Sequence, residues 1–139
     1  MQFNLDMDTN SYTIRAYRPG EIAISVPLNR DPGEATLAEV ASVSGSLILS
    51  PRQLIRDWAP LHVTELLATH LEAIAALQPE VILLGTGPHL EFPASEVLAV
   101  LHERQIGVEV MGTAAACRTY NILMAEGRNV AAGLINPLP

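Results

Sequence analysis

Over its first part the chain alternates single hydrophobic and polar positions, and then its rhythm changes. Tyr12, Ile14 and Ala16 alternate with Thr13, Arg15 and Tyr17, and Ile22, Ile24 and Val26 alternate with Ala23 and Ser25, which predicts two half-buried strands. Arg18-Pro19-Gly20-Glu21 lies between them. Proline presets φ at the first central position of a turn and glycine accepts a positive φ at the second, so the two strands are read as a hairpin closed by a type II turn. From Pro27 to Gly45 the chain is polar, broken by Asn29, Asp31-Pro32-Gly33 and Ser42 to Ser44. Only Thr36 to Val40 could make a short strand or turn there, and the segment is expected to be irregular surface chain.

After Gly45, short apolar runs alternate with helical periods. Ser46 to Ser50 is a first buried run, ended by Pro51. A loop through Trp58 leads to a helix from about His62 to Leu77, with Leu67, Leu71, Ile74 and Leu77 on one face and Pro79 forcing its end. Val81 to Leu84 reads as a second strand and Gly85-Thr86-Gly87-Pro88 as a sharp loop. A helix over Ala94 to Arg104 follows, with Gly107 as its terminator. Val108 to Met111 makes a third strand. Thr113 is the expected N-cap of a helix to about Glu126, Gly127 its C-cap, and Val130 to Ile135 a fourth strand. The expected architecture is α/β over residues 1–139 as one three-layer domain. Residues 1–45 form a hairpin and an irregular segment, and 46–139 a βαβαβαβ core with a parallel four-stranded sheet.

Length and composition agree with one core: 139 residues, 49% apolar and 17% charged. All eight basic residues are arginines, and fifteen acidic ones leave a net charge of −7, the wrong sign for a nucleic-acid partner. The single Cys117 excludes an internal disulfide and a thiolate zinc cluster. Met1 to Asp8 has neither a basic nor an apolar signal region, and no run approaches the length of a membrane span, so a cytoplasmic protein without membrane insertion is expected.

Candidate chemistry gathers at the predicted strand ends. Gly85-Thr86-Gly87 follows a strand as a Rossmann phosphate loop would, but position 90 is Leu90 and the G-x-G-x-x-G spacing fails. Parallel sheets take ligands beyond the carboxyl ends of their strands. If the strands are neighbours, Ser50-Pro51-Arg52, Gly85-Thr86-Gly87 and Gly112-Thr113 line one crevice, with the N-terminus of the Thr113 helix opening on it as an anion site. The plainer alternative is that these glycines only make tight turns. Arg118 is the one charge of an almost wholly apolar helix, and Asn121 shares its face. A buried guanidinium there needs Glu109, Glu91 or a bound anion as partner. Cys117 reads as a small buried hydrophobe. His89 and Glu91 form H-x-E without the P-C-x-x-C of zinc deaminases; no metal site and no cofactor is expected. Trp58 either caps the core or anchors a partner.

Two segments, Gly85-Thr86-Gly87 after Val81 to Leu84 and Thr113 to Leu123 followed by Glu126-Gly127-Arg128-Asn129-Val130, resemble a domain-of-unknown-function family that includes the mitochondrial complex I assembly factor 3. Tyr17-Arg18-Pro19-Gly20 and the Trp58 loop extend the likeness. The resemblance implies a three-layer α/β fold with added N-terminal strands, and it supplies no catalytic residues to carry over. Without an organelle-targeting extension before Phe3, a bacterial member is expected. Two functions follow as expectations. One is a non-catalytic interaction or assembly module, with a protein partner such as a membrane-complex subunit, marked by an exposed apolar patch. The other is an anion-binding protein or enzyme using the crevice through Thr86, Thr113, Arg118 and Asn121. Homo-oligomers through edge strands are compatible with either.

Overall fold

The computed structural model describes residues 10–27 and 39–139. The N-terminal alternation folds as expected into β1 (Thr13–Arg18) and β2 (Glu21–Ser25), paired antiparallel, with Gly20 at φ +85° in the turn. Two details differ. The register shifts between Ile14 and Ala16, a β-bulge that puts an extra residue on β1. Strict alternation is broken there, and Tyr17 joins Tyr12 against the core. The chain expected to be irregular up to Gly45 forms a third strand, β3 (Val40–Ser44), paired antiparallel with β2. Ser42 and Ser44 are outward-facing strand residues and only Val43 is buried, so a one-sided strand had the composition of a loop. Of the Thr36 to Val40 segment, residues 36–38 lie outside the described residues, as does the expected signal-free N-terminus at 1–8.

The remaining strands make a five-stranded sheet: β4 (Leu47–Leu49), β5 (Leu54–Ile55), β6 (Val81–Gly85), β7 (Gly107–Met111) and β8 (Val130–Leu134), in the order β5-β4-β8-β6-β7. β6 pairs in parallel with both β7 and β8, as the βαβ rhythm predicts. β4 does not follow it. It pairs antiparallel with β8, Leu47 opposite Leu134, and turns back into β5. The expected parallel four-stranded sheet is therefore a mixed five-stranded one. The run Ser46 to Ser50 is buried on both faces, and such a run carries no mark of strand direction.

Three helices cover this sheet: α1 (Ala68–Ala75), α2 (Ser95–Glu103) and α3 (Thr113–Ala125). The helix expected from His62 is broken into a 3-10 turn over Val63–Glu65 and α1, because Leu66 and Leu67 are extended. His70 fastens the start of α1 by accepting the Leu67 N–H at Nδ1, 2.9 Å away. Gly127 ends α3 at φ +78° as expected. Gly107 instead opens β7, and the left-handed residue after α2 is Gln105. One core, between α3, β1–β3 and one face of the five-stranded sheet, gathers Ile14, Ile22, Ile24, Leu83 and Tyr120. The other lies under α1 and α2 and includes Trp58, Leu71, Ile74, Ile82 and Leu101.

Candidate functional site

The direction of β4 decides which predicted residues meet. Because β4 runs against β6 and β8, Ser50-Pro51-Arg52 emerges at the amino ends of the parallel strands, the edge opposite to Gly85-Thr86-Gly87. Neighbouring β6 and β7 do bring Gly85-Thr86-Gly87 together with Gly112-Thr113. What they form there is closed. Thr113 is fully buried, its hydroxyl accepting the Gly87 N–H (2.8 Å) and donating to the Ile135 carbonyl (2.6 Å). Its own N–H, the first of α3, donates to the Gly87 carbonyl at 2.9 Å, so that donor is already used at the helix end where an anion was expected. The Thr86 hydroxyl donates to the His89 carbonyl (2.6 Å).

The glycines serve this closure. A Cβ on Gly85 would stand 2.8 Å from the Thr113 hydroxyl, and Gly87 has φ +98°. Gly112 precedes α3 in extended conformation. Ser46 and Asn136, which sequence reasoning did not single out, continue the network. The Ser46 hydroxyl donates to the Pro60 carbonyl (2.5 Å) and accepts the Asn136 N–H (2.9 Å), while Asn136 Oδ1 accepts the Gly20 N–H (3.0 Å) and so holds the hairpin turn against the sheet end. No buried side-chain N or O among the described residues lacks a hydrogen bond.

Arg118 and Asn121 part company. Arg118 is exposed, so the buried ion pair expected for it, with Glu109 or Glu91 or with an anion, is not required. Alanines at 114, 115 and 116 made the helix look buried all round, yet Ile122 is 58% exposed on it. Asn121 is buried and turned the other way, onto β1: its Oδ1 accepts the Ile14 N–H (3.0 Å) and its Nδ2 donates to the Ile14 carbonyl (2.8 Å). Beside it, the Tyr120 hydroxyl donates to the Tyr12 carbonyl at 2.7 Å. Cys117 is buried, and burial pushes its thiol up to about 12 against a smaller lowering effect of Arg118; it is a packing residue. Trp58 is 7% exposed. Its indole lies over Gly133, donates to the His70 carbonyl (3.3 Å) and meets the His70 ring edge to face at 6.4 Å, which makes it a core residue and not an exposed anchor.

Two open features remain. At the amino ends of the parallel strands, a cleft of about 640 Å³ is lined by Ser50, Arg52, Gln53, Pro79, Arg128 and Asn129, among others. Arg128 pairs there with Glu80 (3.2 Å), and this contact, with the Asn129 N–H, holds the Glu80 carboxyl below its ordinary range. The second feature lies at the carboxyl ends. α1 and α2 each end shortly before a strand begins, so both start at that edge, side by side. The segments leading into them expose Leu61 (45%), Leu67 (59%), Leu90 (58%) and Phe92 (67%). Period counting assigned Leu67 to the buried face of a longer helix and did not single out the others. Among the described residues no group of His, Cys, Asp and Glu could hold a metal ion, and no helix is long and apolar enough to cross a membrane.

Comparison with known proteins places these features in a family. The model of a family described as protein of unknown function (DUF498/DUF598) matches residues 14–135. The chain is 31% identical over 100 residues to the 13 kDa major membrane protein of Francisella tularensis subsp. holarctica (strain LVS), covering 71% of this chain and 81% of that protein. It is 35% identical over 102 residues to NADH dehydrogenase [ubiquinone] 1 alpha subcomplex assembly factor 3 of Danio rerio, covering 69% of this chain and 59% of the fish protein. A crystal structure of a Bordetella parapertussis protein superposes with a TM-score of 0.76 at 32% identity, over 94% of this chain and 99% of that one.

Proposed function

Because the chain belongs to the DUF498/DUF598 family, whose relatives include a complex I assembly factor, we propose that it is a non-catalytic interaction module that helps a membrane-associated protein complex to assemble, working from the cytoplasm. The observation that carries this reading is the contrast at the carboxyl edge. Where an enzyme of this class would open a crevice, Thr86 and Thr113 spend their hydrogen bonds on the chain itself, and large apolar side chains face outward beside them. The partner is a protein, and a subunit of a membrane complex fits the names of the relatives.

Native mass spectrometry of the protein purified gently from its own cells tests this. A stoichiometric protein partner is expected. A protein that emerges alone in every preparation would refute the reading.

A second reading, small-molecule binding, is favoured by the cleft at the opposite edge, whose size is that of a ligand site and whose rim carries Arg52 and Arg128. It expects a discrete low-mass adduct in the same spectrum that disappears in an Arg52→Ala, Arg128→Ala variant. The anion-binding role first expected at the carboxyl-end crevice moves with it to this cleft.

A further inference from the structure

The net charge of the chain resides in one stretch. Residues 57–103 contain seven of the fifteen Asp and Glu residues and none of the eight arginines, whereas the rest of the chain holds eight of each and balances. That stretch builds the outer layer: α1, α2 and the segments that lead into them, wrapped around the buried strand β6. Most of the formal charge of −7 therefore belongs to the layer over one face of the sheet, while Glu80, at the opposite edge, is paired with Arg128. At its carboxyl-edge end, the segments that lead into α1 and α2 and expose Leu61, Leu67, Leu90 and Phe92 also carry the exposed Glu65 and Glu91, with Glu96 exposed in the first turn of α2. Glu65 is fixed beside Leu61, its Oε1 accepting the Leu61 N–H at 3.0 Å.

We propose that this acidic, apolar end of the α1/α2 layer docks a segment of a partner protein that presents large apolar side chains flanked by lysines or arginines. The proposal rests on the interaction-module reading and names the chemistry of its partner. Charge selects among the possible occupants. A second copy of the chain would set this acidic layer against itself, and an anionic membrane surface would be repelled by it. A basic amphipathic segment satisfies both components: apolar anchors cover the leucines and Phe92, and its cations meet the three glutamates at the rim.

Binding of the full chain to a fluorescein-labelled amphipathic peptide of about 18 residues, with leucines on one face and lysines on the other, tests this by anisotropy, with a leucine/glutamate peptide as its counterpart. The lysine peptide is expected to bind at least about tenfold more tightly than the glutamate peptide, and to weaken several-fold as salt rises from about 50 to about 500 mM. Leu67→Ser with Phe92→Ser should cost at least about tenfold in affinity with the melting temperature kept, because both side chains are exposed. Equal binding of the two peptides, or none, overturns the proposal. So does equally tight binding to phosphatidylglycerol vesicles, or a dimer in sedimentation that the double variant dissociates.

In cells, a photo-crosslinking residue at position 92 should capture a segment that is apolar and net basic when mapped by mass spectrometry. Capture only from position 118, on α3, overturns this docking site while leaving the interaction module standing. Capture from neither position removes both.

Discussion

On one face of the five-stranded sheet, α3 is bound to β1 by polar contacts that join distant parts of the chain; on the other, α1 and α2 are held mainly by shape. Asn121 takes both backbone groups of Ile14 and Tyr120 takes the carbonyl of Tyr12. Across the sheet, Trp58 and Ile74 press onto Gly133 so closely that a Cβ there would lie 2.5 Å from Ile74 Cδ1 and 2.8 Å from the indole. The first arrangement consumes polar groups in holding two sheets together. The second leaves its outer surface uncommitted, and that surface carries the charge and the outward leucines. The proposed docking site lies on the second face, where the outward leucines and Phe92 take no part in closing the core.

Substitutions can break this contrast. Gly133→Val should be the most damaging, since neither indole nor isoleucine can retreat without dislodging the α1/α2 layer; a loss of about 3 kcal/mol or more is expected in urea denaturation. An unchanged midpoint would show that layer to be loosely packed. Asn121→Leu keeps the branching of the side chain, adds some bulk and removes both hydrogen bonds to Ile14, which should cost about 2 to 3 kcal/mol and speed amide exchange at Ile14 while β6 stays protected. If exchange at Ile14 does not change, Asn121 is not what joins α3 to β1. Gly127→Val tests backbone strain alone, because no atom lies within 4 Å of the added Cβ, and about 1 kcal/mol is expected from φ +78°. Arg118→Ala should change stability by less than about 0.5 kcal/mol, as befits an exposed position on the structural face. A loss several times larger would make the guanidinium part of the fold and blur the distinction between the two faces.

Much of this was legible from the residues. The hairpin followed from alternation around Pro19-Gly20, and β6, β7 and β8 from short apolar runs separated by helical periods, because those signals are local. The direction of β4 was not legible, since Leu47, Ile48 and Leu49 are buried on both sides and would read the same in either orientation. That single ambiguity misplaced Ser50-Pro51-Arg52 by the full length of the sheet and built the expected crevice. Arg118 was misread for a different reason: alanine is small enough to sit at a surface or in a core, so a run of it fixes no face. The closure of the carboxyl edge depends on Thr113 meeting Ile135 across the fold, and no local pattern contains that contact. The segregation of charge in residues 57–103 was available from counting alone. It acquires meaning only once those residues are seen to form one layer.

The position of β8 has a consequence for biosynthesis. It is the middle strand of the five, every residue of it is buried, and it is the last of them to be synthesised. β4 and β6 do not touch each other in the sheet; each meets only β8 on its inner side. Until Val130–Leu134 has left the ribosome, the nascent chain therefore holds two separate ribbons, β4–β5 and β6–β7, each with a bare apolar edge. Closure of the sheet has to wait for the end of this segment's translation, and until then the inner edges of β4 and β6 have no strand to pair with.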